Sequence, residues 1–196
     1  MSTDRSLRQV ALTHGIVGFA TCLCLIIFYA GAAAFGPIND VGNAVLGLLT
    51  IPLARLLAAN PGASSGARER GGSRLAFAVA VVGAGVAVAG TVLVLTGITG
   101  FYLAGLWSSF GFSLIGAWLV ATHWHRSSAH RRAALAAGAV MMLGLIGVPG
   151  ILMGLDDMDS APDWTFVAGI SWAGTYLLFP SWSLRLARQD RPERVF

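Results

Sequence analysis

Lysine is absent from this chain of 196 residues, and all 13 basic residues are arginine. Beyond the N-terminus there is therefore no amine to form a Schiff base with retinal or pyridoxal phosphate, and no lysine nucleophile. Charge of either sign is scarce: only 11% of residues are Asp, Glu, Lys or Arg, against 56% hydrophobic ones, and the mean hydropathy is +0.72. That balance lies far outside the composition of soluble domains. Cysteine is limited to Cys22 and Cys24, both inside the first apolar run. Two residues apart on a helix they point about 200° from one another. They cannot easily pair, and C-x-C is not the C-x-x-C of a redox site, so both read as small packing residues. There is no Walker loop, dinucleotide fingerprint, H-E-x-x-H motif or Ser-His-Asp order. The formal charge of +4 is accounted for by arginines flanking membrane spans and implies no nucleic-acid partner.

What the chain does contain is six windows of about 20 residues that are apolar all round, the length a helix needs to cross a bilayer. They predict an all-α polytopic membrane bundle, one integral membrane domain over 1–196, with helices near 12–34, 41–58, 75–95, 101–122, 133–155 and 164–186. The first window is too long for a signal-peptide core, and five more follow it. Arginine sets the expected orientation. The N-terminus, the 60–74 and 123–132 stretches and the C-terminus, through Arg191 and Arg194, hold twelve arginines, Arg55 is the thirteenth, and the intervening loops hold none. Such segregation predicts six spans with both termini cytoplasmic, in the plasma membrane.

The 36–60 stretch, GPINDVGNAVLGLLTIPLARLLAAN, is the apolar segment with the most polar content. Asn39, Asp40 and Asn43 open it, and Thr50 continues the same helical face. A carboxylate deep in hydrocarbon would cost about 3 kcal/mol and mark a function. At the outer end of a helix beginning near Val41, however, Asp40 reads first as an N-cap. Gly47–Pro52 (GLLTIP) and Gly144–Pro149 (GLIGVP) echo one another 97 positions apart, the weak trace expected of a 3+3 inverted repeat.

The remaining candidates have plain structural readings. Asp156, Asp157, Asp159 and Asp163 form an acidic loop, and 160–163 (SAPD) reads as a capping box for the last helix. His14, His123, His125 and His130 fall near cytoplasmic helix ends, where they suit lipid phosphates; their spacing does not suit zinc, although His14 and His123 could face one another across a haem. Gly83, Gly90, Gly150 and Gly154 read as close-contact positions. Trp172, Tyr176 and Phe179 on the sixth helix, and Trp107, Phe110 and Trp118 on the fourth, repeat at roughly helical spacing and can line a pocket for an apolar or cationic ligand.

Together these point to a non-catalytic membrane protein. It would bind or pass a small solute, cation or lipid-like molecule near the second, fourth and sixth helices, through Asn39, Asp40, Asn43, Thr50, Trp107, Trp172 and Tyr176. Membrane lipids, other copies of the chain or further membrane subunits are the expected partners, no metal site is expected, and no cofactor is specified. Two alternatives accompany this reading. One is a membrane-embedded enzyme acting on an isoprenoid- or lipid-like substrate, with Asp40 as general acid. The other is a purely structural subunit.

Overall fold

The computed structural model describes residues 2–59, 67–124 and 130–188, and among these every regular element is helical. Six helices follow one another: α1 (Ser2–Tyr29), α2 (Phe35–Ala59), α3 (Ala67–Leu95), α4 (Phe101–His123), α5 (Arg131–Met153) and α6 (165–188). The first five are long and apolar enough to cross a bilayer, with mean hydropathies of 1.5 to 2.5 over their best windows. α6 continues for nine, five and ten residues without a gap, its middle portion being a π turn. Leu23, Ile26, Leu48, Val82, Leu152 and Phe166 stand exposed on the outside of this bundle, where only lipid would solvate them. The protein is a multi-pass helical membrane protein.

The ends of the helices depart from the expected bounds for identifiable reasons. α1 starts within the polar N-terminal segment and stops at Tyr29, just ahead of Gly31, whose φ of 105° no helix accommodates. α2 starts at Phe35 rather than 41. The N–H groups of Phe35 and Gly36 donate back to the Ala32 and Ala33 carbonyls, and Pro37 falls in the first turn, where its missing N–H leaves nothing unpaired. α3 takes in Ala67–Arg74, expected as loop. α5 ends at Met153 because Gly154 adopts the left-handed conformation, with φ 64°, as its C-cap.

Proline shapes three helices differently. Pro52 is carried inside an unbroken α2, Pro149 follows a 3-10 turn at Leu143–Gly147, and Pro180 follows the π turn at Gly174–Leu178. In that turn the Phe179 N–H donates to the Gly174 carbonyl, five residues back, immediately before the residue that has no N–H to donate. The echoed segments also sit differently. Gly47 packs against Ala84 of α3, whereas Gly144 meets Ser109 and Ser113 of α4.

Glycine lets the backbones meet. A methyl on Gly83 would lie 2.6 Å from the Gly111 oxygen, and α4 meets α5 in the same way at Gly116 and Gly138. Gly15 faces Leu184, Gly18 takes the Pro180 ring, and Gly174 abuts the Met141 backbone. With no hydrophobic force between helices in lipid, such close approach supplies the dispersion that holds them together. Gly90 and Gly150 pack closely as expected, against Trp107 and Leu106, but Gly154 meets nothing and acts only as a cap. Because Gly15 opposes Leu184 and Gly18 opposes Pro180, α1 and α6 run antiparallel, which brings the start of α1 and the end of α6 to the same end of the bundle.

Candidate functional site

One group of polar side chains inside the bundle lies along the seam of α1, α2 and α6, on two levels. At the first level Asn39, Asn43 and Tyr176 are all buried. The Asn39 amide donates to the Thr21 carbonyl on α1 (3.0 Å), and the Asn43 amide to the Asn39 oxygen (3.4 Å). The Tyr176 hydroxyl, carried by the π turn of α6, donates to the Asn43 oxygen (2.8 Å). α3 joins through Thr91, whose hydroxyl donates to the backbone carbonyl of Asp40 (2.7 Å).

Asp40 itself is only 7% exposed, and its carboxylate has no hydrogen bond or ion pair among the described residues. The expected N-cap role does not hold. Because α2 starts at Phe35, Asp40 lies more than a turn inside the helix, in the stretch that also carries Asn39 and Asn43 and close enough for its charge to act on Tyr176. Sequence reasoning placed the helix start too late by assigning Gly36 and Pro37 to a turn.

At the second level His14 is fully buried. Its Nδ1 lies 2.8 Å from the Ser183 hydroxyl, and its Nε2 3.4 Å from that of Thr50. The Thr50 hydroxyl donates to the Leu46 carbonyl, so its oxygen accepts from Nε2–H, which leaves Nδ1 to accept from Ser183. Leu46 and Phe179, both fully buried, fill the space between the levels, and Phe179 sets its ring edge-on to His14 at 4.4 Å.

The two levels share one register. α1 contributes Thr21 and His14, α2 Asn43 and Thr50, and α6 Tyr176 and Ser183. Each pair is seven residues apart, or about 10.5 Å along a helix. That repeat is visible in the sequence once the three helices are known to adjoin; Thr21, Thr91 and Ser183 are the residues that reading helices singly misses, and His14 sits buried between Thr50 and Ser183 rather than at the lipid phosphates.

The other sequence candidates fall elsewhere. Trp107 packs on Gly90 of α3. Trp172 donates its indole N–H to the Ser109 hydroxyl (2.8 Å) in the wall of a separate cavity of about 320 Å³ between α4, α6 and the 154–164 loop, which Asp40 does not line. The seven predicted residues are therefore one group of four, with Thr50 two turns further along, and two tryptophans apart from both. His123 donates from Nδ1 to the Leu119 carbonyl and sets its ring against Trp182, which stacks on Phe179. This indole–phenyl stack occupies the place where a haem between His14 and His123 would have to sit. His130 precedes α5 at its cap position; His125, Arg191, Arg194 and the 60–66 part of the arginine-rich loop lie outside the described residues.

The acidic loop also departs from expectation. Neither Ser160 nor Asp163 caps α6: Ser160 donates to the Asp157 carbonyl, and the helix starts after Trp164 with no side-chain cap. Asp156 instead caps α4, accepting from the Gly100 N–H (2.6 Å) and the Leu103 N–H (3.3 Å). A partner 56 positions away gives no local sequence signal. Among the described residues no three His, Cys, Asp or Glu side chains come together in a metal-binding group, and Cys22 and Cys24 are free thiols.

Comparison with protein families, curated proteins and solved structures finds no match to this chain.

Proposed function

We propose that this protein binds a small cation at Asp40 and passes it along the α1–α2–α6 seam, as a non-catalytic protein of the plasma membrane with both termini in the cytoplasm. The observation that carries this reading is a carboxylate only 7% exposed inside a membrane helix, with no hydrogen bond or ion pair among the described residues, on the same stretch of helix as Asn39 and Asn43. Left empty, such a group is expensive in lipid, and hard cations prefer carboxylate, amide and hydroxyl oxygens together. The amide oxygens of Asn39 and Asn43 each keep a lone pair beyond the bond they accept. The acidic 156–163 loop would draw cations to the outer mouth. Leu46 and Phe179 close the seam between the levels, so passage requires these two side chains to part.

The enzyme alternative requires Asp40 to face an aromatic cavity. The cavity beside Trp172 has an aromatic wall but no carboxylate among its lining residues, so it gives this reading no support. Close glycine-mediated contacts and short loops fit a chain that works as a homo-oligomer or beside other membrane subunits, in contact with lipid. The test is flux into proteoliposomes loaded with alkali-cation or proton indicators. Wild type carries one of these cations, Asp40→Asn abolishes the flux, and Tyr176→Phe slows it. Equal flux through wild type and Asp40→Asn would defeat the proposal and leave the structural role.

A further inference from the structure

The cavity beside Trp172 is independent of the polar seam and has its own chemistry. It spans two turns of α4, from Tyr102 to Ser109, and two turns of α6, from Thr165 to Trp172, with Met158 and Ala161 of the loop above it. Its internal polar pair, Trp172 Nε1–H to Ser109 Oγ, is made within the protein, the Thr165 hydroxyl is spent on the Pro162 carbonyl, and the Tyr102 hydroxyl is the one other polar side-chain group in the lining. Little remains to hold water. Phe166 is 65% exposed and Ile170 52%, so the side bounded by these residues faces the lipid. At about 320 Å³ the space takes roughly ten groups of water or methylene size at about 30 Å³ each.

Gly169 supplies a second, separate observation. Unlike Gly83, Gly111 or Gly174, it is not needed for helix contact: a Cβ there would meet nothing within 4 Å. Glycine inside a helix is less stable than alanine, and here it returns no packing. Its effect is to keep the wall of the cavity recessed. The loop above is fixed by Asp156, whose carboxylate ties it to the first turn of α4. The cavity is thus walled by two helices, roofed by a tethered loop and open toward hydrocarbon.

We infer that this cavity holds one acyl chain of a membrane phospholipid, inserted sideways between α4 and α6 at the end of the bundle that carries the 154–164 loop. The predominantly apolar lining, with the Tyr102 hydroxyl as its one polar side-chain group outside the bonds already made, selects a hydrocarbon chain over a polar solute. The volume suits part of a single chain.

The test uses the full-length protein in nanodiscs of phosphatidylcholine whose acyl chains carry bromine, a quencher of tryptophan fluorescence on contact. Trp172 is expected to be quenched, so that Trp172→Phe removes a quenched component from the wild-type signal. Gly169→Leu, which projects into the empty space, should protect Trp172 and strip the phospholipid that native mass spectrometry finds on the wild type after detergent washing. Gly85→Leu serves as the control, since position 85 is exposed on α3 and its Cβ also meets nothing. It should retain both the quenching and the lipid. Circular dichroism establishes that each variant is folded, and the Trp172→Phe comparison stands without Gly169→Leu. A Trp172 that bromine does not reach, or lipid retained equally by Gly169→Leu and Gly85→Leu, would overturn the assignment.

Discussion

Replacing Gly111 by alanine tests how the bundle is held together. The added methyl would stand 2.6 Å from both the Ala87 nitrogen and the Gly83 oxygen. Carbon settles against such atoms at about 3.5 Å or more, so α3 and α4 must move apart by roughly 1 Å along their closest line. Overpacking of this kind costs about 1–3 kcal/mol, partly offset by up to about 1 kcal/mol from alanine's better helix propensity. The net expectation is a loss of about 1–2 kcal/mol. Gly85→Ala, two residues beyond Gly83 on the outward face of α3, meets nothing within 4 Å. It should therefore be neutral or stabilising by a few tenths of a kcal/mol to about 1 kcal/mol. The two variants differ by about 2 kcal/mol, roughly thirtyfold in the folding constant. Unfolding by SDS in mixed micelles, followed by circular dichroism, measures that difference. If Gly111→Ala proved as stable as Gly85→Ala, close backbone approach at this pair would not be what joins the helices.

Tyr176→Phe deletes the bond to Asn43 inside the bundle and should lower stability by about 0.6 kcal/mol, the average for interhelical hydrogen bonds in membranes, and by no more than about 1.7 kcal/mol; the same SDS titration reports it, and an unchanged midpoint would mean that the bond does not form. Asp156→Ala removes the cap from α4 and should cost about 1 kcal/mol, with faster proteolysis of the 154–164 loop as the independent readout; a loop as resistant as in wild type would count against the tether. Orientation is read by impermeant thiol labelling of intact cells expressing Ser160→Cys or Gln9→Cys in a background lacking Cys22 and Cys24: the first should label from outside and the second should not, and the reverse pattern would invert the topology.

Composition and hydropathy made the helical membrane architecture legible because a chain in lipid must bury its backbone polarity within helices. The limits of α4 were nearly readable, since Gly100 and the polar 123–132 stretch bracket it. Those of α1 and α2 were not. The polar N-terminal residues belong to a helix longer than the apolar run, and Pro37 reads as a turn although the first turn of a helix accepts it. That displacement alone turned Asp40 from a buried group into an apparent cap. Asn39, Asn43 and Tyr176 were legible as polar or amphipathic residues on helical faces, but their meeting depends on α6 lying beside α1 and α2, a long-range fact. His14 was read as interfacial because its distance from the N-terminus suggests a helix end, whereas α1 extends two turns and more before it. Asp156 reaches the start of α4 across a fold that no local pattern specifies.

A cation site at Asp40 is read most directly from the reactivity of its carboxyl group in the membrane. A hydrophobic carbodiimide enters the bilayer and modifies carboxyl groups buried there, whereas the loop carboxylates of the 156–163 segment remain in water. Peptide mass spectrometry after treatment of the protein in lipid should find the adduct on Asp40, with labelling suppressed in proportion to the concentration of the cation that the flux assay identifies. Labelling of Asp40 that no cation suppresses, or no labelling at all in folded protein, would contradict the account.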